Sequence, residues 1–185
     1  MTTSSIYDIP LKSLDGSAAN FKPFEGKVLL VVNTASKCGL TPQYEGLQKL
    51  DSQYSDKGLK VVGFPSNEFM GQEPGSSAEI QDFCSTKYKI TFPLFEKTHV
   101  KGPEQSELYK VLTSAQPKAV ANPGSDFEKK LAGYGQAPKN PSDVLWNFEK
   151  FLIDRTGRVV GRFAPDMTPD DPILITAIEK ALGAN

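Results

Sequence analysis

Val28-Leu-Leu-Val-Val-Asn-Thr-Ala-Ser-Lys-Cys-Gly-Leu-Thr-Pro42 is the stretch on which the architecture of this chain turns. Its first five residues form a continuous apolar run rich in β-branched side chains, the pattern of a strand buried on both faces. A loop of small and polar residues follows. Thr41 reads as a helix N-cap, with Pro42 at the first helical position. Tyr44, Leu47, Leu50 and Tyr54 then recur at helical spacing. Lys57-Gly58 closes that helix, and Leu59 to Phe64 is a second apolar strand. Strand, cysteine loop, helix, strand is a βαβ unit whose sheet is parallel at that point. Cys38 then lies beyond the carboxyl end of a central strand, where open α/β sheets place their chemistry.

Upstream, Ile6 to Leu11 alternates apolar and polar residues and turns at Asp15-Gly16, which reads as an N-terminal β-hairpin. Downstream, Ser76 and Glu79 form a capping box for a helix with Ile80, Phe83, Cys84 and Tyr88 on one face. Phe92 to Phe95 suits a short strand, and Glu104 to Thr113 a helix. Residues 114–145 are rich in Pro, Gly, Asn and Ala, with one helical turn expected at Phe127 to Leu131. A loop of that length is functional, an oligomer contact or mobile. Trp146 to Ile153 and Arg158 to Phe163 flank Asp154-Arg-Thr-Gly157 as a second hairpin, so the sheet turns antiparallel there. A helix over Pro172 to Leu182 ends the chain. This order predicts an α/β, thioredoxin-like fold: a mixed central sheet flanked by helices, preceded by an N-terminal hairpin, in a single domain over 1–185.

With 185 residues the chain can bury a core without disulfide staples or structural metal. Its 21 Lys and Arg against 22 Asp and Glu give a formal charge of −1, so no basic surplus points to nucleic acid or an anionic membrane. The N-terminal residues lack a secretory pattern, and no apolar run approaches a membrane span. The expected compartment is the cytoplasm, with the periplasm left open. Two cysteines and one histidine are too few for a disulfide scaffold or a zinc site. No cofactor or metal is expected.

Cys38 is the best nucleophile candidate, because backbone N–H groups and the positive end of a helix dipole favour a thiolate just before a helix. The alternative is a small loop residue of ordinary reactivity. Lys37 adjoins it. Cys84, beside Phe83 on an apolar helix face, reads from pattern alone as a buried small hydrophobe. Trp146 reads as core and Gln72 as a solvated loop amide. His99 is placed on the surface or in a strand, and Glu68, Glu73 and Asp82 read as solvated or capping carboxylates.

Three blocks change that weighing. Asn33-Thr-Ala-Ser-Lys-Cys-Gly-Leu-Thr41, Gly63-Phe-Pro-Ser-Asn-Glu-Phe69 with Gln72-Glu-Pro-Gly75, and Trp146-Asn-Phe-Glu-Lys-Phe-Leu-Ile153 resemble the three signature blocks of glutathione peroxidases, in that family's order. The resemblance runs from about Ile6 to the C-terminus and is strongest to the bacterial thioredoxin/glutathione peroxidases. It implies that Cys38 is the peroxidatic cysteine and that Gln72, Trp146 and Asn147 complete a catalytic tetrad. Their indole and amide N–H groups are neutral donors that would converge on sulfur and favour thiolate over thiol. It also implies that Cys84 is a resolving cysteine. Position 66 is Ser where many relatives carry a third cysteine. The implied activity is reduction of hydrogen peroxide and organic hydroperoxides through a Cys38 sulfenic acid. Cys84 resolves it, and thioredoxin, or less readily glutathione, recycles the disulfide in defence against oxidative stress. Tetrameric animal members are long before the last hairpin, as this chain is, whereas monomeric or dimeric plant-type members are short there, which leaves the oligomeric state open.

Two rivals share parts of this pattern. A thiol-disulfide oxidoreductase expects a CxxC pair, yet Cys38 is followed by Gly39, Leu40 and Thr41. A peroxide sensor shares the chemistry but does not turn over repeatedly. A cobalamin carrier is a third idea that no residue here suggests.

Overall fold

The computed structural model describes residues 5–183. Its centre is a four-stranded sheet made from both halves of the chain. β3 (Val28–Thr34) is buried along its whole length and pairs parallel with β4 (Leu59–Pro65). On its other side β3 pairs antiparallel with β5 (Lys150–Ile153), which pairs antiparallel with β6 (Val159–Phe163). The strand order is β4-β3-β5-β6. The sheet is therefore mixed, as the order of elements predicts.

A small separate hairpin precedes it, with β1 (Leu11–Lys12) antiparallel to β2 (Ala18–Ala19) across the Asp15-Gly16 turn. The hairpin is shorter than expected, because Ile6–Asp8 is a 3₁₀ turn capped by the Ser5 hydroxyl rather than a strand. Five helices flank the sheet. α1 (Gln43–Tyr54) packs on β4 through the face that holds Leu47, Leu50 and Tyr54, and Gly58, left-handed at φ 104°, turns the chain into β4. α2 (Ser77–Lys87) has the expected capping box and buries only Ile80 and Cys84. α3 (Glu107–Ala115) packs against β6, α4 (Phe127–Gly133) lies in the long segment before the last hairpin, and α5 (Pro172–Leu182) packs against β3. Phe92 to Phe95 does not form a strand of its own. It makes single bridges to Gly63 and Ser13.

This topology decides where chemistry can sit. Parallel pairing sets the end of β4 beside the end of β3, Pro65 opposite Thr34. Antiparallel pairing sets the start of β5 at that same end, Lys150 opposite Val32. Three segments therefore emerge together: the Cys38 loop after β3, residues 66–76 after β4, and Trp146 to Glu149 before β5. No helix among the described residues is long and apolar enough to cross a membrane.

Candidate active site

The Cys38 loop is fastened by one hydroxyl. Thr41 Oγ1 accepts the Cys38 N–H at 3.0 Å and donates to the Ala35 carbonyl at 2.8 Å. Thr41 is thus not the cap of α1; Pro42 occupies that position and no side chain caps the helix. The hydroxyl has two buried partners within the loop, and these outcompete a single helix N–H. The Cys38 carbonyl accepts the Thr41 N–H, and the Cys38 Sγ accepts the Leu40 N–H at 3.3 Å. The donor to sulfur is therefore the turn itself. The first N–H groups of α1 are used by the carbonyls of Leu40, Thr41 and Pro42. Cys38 is 8% exposed, so the residue is largely covered.

The loop after β4 closes over this turn. The Lys37 N–H donates to the Gln72 carbonyl, tying the two loops together. Met70 and Gly71 are both left-handed, at φ 56° and 62°, and they reverse the chain so that Gln72 faces back toward the cysteine loop. An L-residue pays a steric cost in that region of roughly 1–2 kcal/mol, which Met70 bears. Asn67 Oδ1 accepts the Glu73 N–H at 2.9 Å and holds the loop beyond.

The third segment is hung from Asn33, a polar residue in an otherwise apolar strand. Its side-chain amide donates to the Trp146 carbonyl at 3.0 Å, its Oδ1 accepts the Glu149 N–H at 3.2 Å, and its own carbonyl accepts the Phe148 N–H at 2.6 Å. These bonds, with Phe148 at φ 69°, replace the regular ladder, so the strand begins at Lys150 and not at Trp146 as the sequence suggests. Freed from the strand, Asn147 donates from Nδ2 to Gln72 Oε1 at 3.0 Å. Trp146 packs on Phe69 with ring centroids 5.3 Å apart and stays 8% exposed. The structure thus joins Gln72 to Asn147, and the Gln72 loop to the Cys38 loop. In this state the sulfur's hydrogen bond comes from the Leu40 backbone, not from the indole or either amide. Asn147 Oδ1 is buried without a partner.

A buried ionic layer supports the third segment from below. Glu149 accepts the Leu145 N–H and pairs with Arg162 at 2.8 Å, both side chains being buried. Arg162 also donates to the carbonyls of Gln116, Ser142 and Asp143, so one guanidinium gathers both ends of the long segment. Burial outweighs the attraction of Arg162 and pushes the Glu149 carboxyl up to about 7. Lys150 donates to Gln43 Oε1 and to the carbonyls of Pro165 and Met167, and burial brings its ammonium down to about 7.

Cys84 is fully buried on α2, and both cysteines are free thiols. Burial pushes the Cys84 thiol up to about 11, assisted by the charge of Glu73, while the nearby Tyr44 hydroxyl acts in the opposite sense. One further side chain differs from expectation. Glu73 is only 1% exposed and accepts from the Ser36 hydroxyl at 3.1 Å, so it is neither solvated nor a cap. Lys37, next to Cys38 in sequence, lines a cavity with Glu73 and Glu79. His99 sits on the surface between Glu68 and Glu104, as expected. The roles of Thr41 and Asn33 escape sequence reasoning. The one available signal is Asn33 itself, an amide closing a run of buried aliphatics.

Comparison with known proteins agrees with this picture. The family model described as glutathione peroxidase matches residues 6–113. The thioredoxin/glutathione peroxidase BtuE of Escherichia coli is 49% identical over 96% of this chain and 97% of that protein. The hydroperoxy fatty acid reductase gpx1 of Synechocystis is 48% identical over 97% of this chain and 96% of its own length. Among solved structures, that of Trgpx in apo form is 31% identical with a TM-score of 0.70, covering 98% of this chain and 97% of that one. A thiol:disulfide interchange protein of the thioredoxin family from Chlorobium tepidum, 16% identical with a TM-score of 0.59 over 99% of this chain and 100% of that one, shares the fold.

Proposed function

Since the chain belongs to the glutathione peroxidase family, and so reduces hydroperoxides at the expense of a thiol, we propose that Cys38 is the sulfur that is oxidised and that Gln72, Trp146 and Asn147 serve it. The observation that carries this reading is the Asn147-to-Gln72 hydrogen bond at 3.0 Å. Two carboxamides from distant parts of the chain meet beside the cysteine loop, to which Gln72 is tied through Lys37. Neutral donors so placed stabilise negative charge without introducing a competing base.

The first step is attack by the Cys38 thiolate on the terminal oxygen of the hydroperoxide. The O–O bond breaks, an S–O bond forms, and the departing alkoxide or hydroxide takes a proton to leave as alcohol or water. As charge passes to the departing oxygen, the two amides and the indole N–H are assigned to donate to it. In the second step Cys84 condenses with the sulfenic acid to give a disulfide and water. In the third, a dithiol reductant restores both thiols by exchange, thioredoxin in preference to glutathione. No metal or cofactor is invoked, and no group of three or more potential metal ligands occurs among the described residues. The cycle needs reduced thiols, which suits the cytoplasm. Strands from both halves share one sheet, which supports treating 1–185 as one domain.

Cys38→Ser is expected to abolish peroxide consumption; turnover above background in that variant rules out its role. Cys84→Ser is expected to complete one turnover and then stall with thioredoxin as reductant. An unchanged steady-state rate would remove Cys84 from the cycle. Parallel assays with thioredoxin and with glutathione decide the reductant.

A further inference from the structure

A carboxylate that the cycle above does not use lies between the two cysteines. Glu73 follows Gln72, yet its side chain turns inward, accepting from Ser36 Oγ at 3.1 Å. No cation lies within salt-bridge distance of it among the described residues. It lines a cavity of about 280 Å³ whose walls are Ser36 and Lys37 from the Cys38 loop, and Ile80 and Phe83 from α2. Ile80 and Cys84, one turn apart, are the two buried residues of that helix. The cavity therefore separates the loop that carries one sulfur from the helix that carries the other. The groups facing Glu73 are Lys37, Lys97, Tyr44 and the Cys84 thiol, with the Ser36 hydroxyl as donor. The cations draw its proton affinity down, and burial, the larger effect, raises it above the ordinary carboxylate value.

We infer that Glu73 is the proton acceptor for Cys84 when the two cysteines condense. The inference rests on the assignment of Cys84 as the resolving cysteine. A thiol held protonated well above neutrality is a poor nucleophile until a base removes its proton. Two carboxylates line the cavity that Cys84 crosses when α2 opens: Glu79 is engaged by the Ser76 N–H in the capping box, and Glu73, the buried one, is the base assigned to the thiol. Glu73 takes the thiol proton, and the Cys84 sulfur attacks the Cys38 sulfur as the S–O bond breaks. The departing hydroxide receives the proton from Glu73 and leaves as water. Cys84 is oxidised, Cys38 is reduced by the same amount, and the carboxylate is regenerated. Burial suits Glu73 to both halves of this transfer, since a raised proton affinity makes it a stronger base than a solvated carboxylate.

The test is rapid mixing of the reduced protein with one equivalent of hydrogen peroxide. Sulfenic acid is trapped with a dimedone reagent, and the Cys38–Cys84 bond is followed by mass. Glu73→Gln is expected to form sulfenic acid as the unsubstituted protein does and to condense more slowly, on the order of a hundredfold, with Glu73→Asp recovering part of the rate. Condensation in the unsubstituted protein should fall on acidification through the Glu73 titration, and Glu73→Gln should lose that limb. Ser36→Ala, which removes the donor to the carboxylate, should move the limb to higher pH, and this keeps the test alive should Glu73→Gln fail to fold. Condensation in Glu73→Gln at the unsubstituted rate and pH profile overturns the role of Glu73 alone. If the unsubstituted protein never forms a Cys38–Cys84 bond, the resolving assignment falls and this inference with it.

Discussion

At the scale of single residues, the shape of the Cys38 loop depends on a neighbour that carries no charge. The Thr41 hydroxyl satisfies one N–H and one carbonyl of a loop with little regular structure to hold it. Thr41→Val keeps the shape and leaves both groups unpaired, so it is expected to cost about 1–3 kcal/mol in urea unfolding and to slow peroxide attack. Thr41→Ser should restore both. Cys84 makes a separate prediction about pH. The unfolded thiol loses its proton near the ordinary value of 9.0, the folded one near about 11. As pH rises between these values the unfolded state holds fewer protons, so the reduced protein loses stability across that window. The loss sums to roughly 2–3 kcal/mol. Cys84→Ala should lack this alkaline component, measured as the difference in unfolding free energy at about pH 8 and about pH 11.

At the scale of elements, the proposed role of Cys84 asks α2 to give way. That helix buries two side chains, Ile80 and Cys84, and its start is held by the Ser76–Glu79 capping box. Ser76→Ala is expected to weaken the helix by about 1 kcal/mol. If opening of α2 precedes condensation, disulfide formation should accelerate about fivefold in rapid mixing. A slower or unchanged rate indicates that Cys84 reaches Cys38 by another motion. The same element scale shows how legible the chain is. The βαβ unit, the capping box and the last helix can be read directly, because each has one environment that fits its pattern. Thr41 and Trp146 to Glu149 are misread for a common reason. Local rules see a hydroxyl before a helix and an apolar run before a turn, whereas partners outside those patterns, Ala35 and Cys38 within the same loop and Asn33 more than a hundred residues away, decide both. Glu73 is hidden because a carboxylate in a polar loop ordinarily faces water, and only the tertiary fold turns it inward.

At the scale of the whole molecule, Arg162 couples the active-site segment to the longest irregular stretch of the chain. Its guanidinium reaches Glu149, Gln116, Ser142 and Asp143. Arg162→Ala strands a fully buried carboxylate and is expected to destabilise the protein by about 3–5 kcal/mol. Because Glu149 also fixes Leu145, the same change should loosen Trp146, seen as a red shift of its fluorescence together with a fall in peroxidase rate. Arg162→Ala with Glu149→Leu, which removes both charges, should recover much of the stability but less of the rate. Equal recovery of both would make the ion pair a matter of stability alone.

The seat of β3 between β4 and β5 also governs when catalysis can begin in the life of a polypeptide. Val28–Thr34 leaves the ribosome early and finds β4 soon afterwards, but the strand for its other flank is encoded near the far end of the message. On the proposed assignment, a growing chain therefore carries the Cys38 sulfur long before the indole and the second carboxamide exist to serve it. Until Lys150–Ile153 arrives, an apolar strand edge stands open to any passing partner. A prematurely terminated product, on this reading, lacks both the strand that covers β3 and two of the groups assigned to the sulfur.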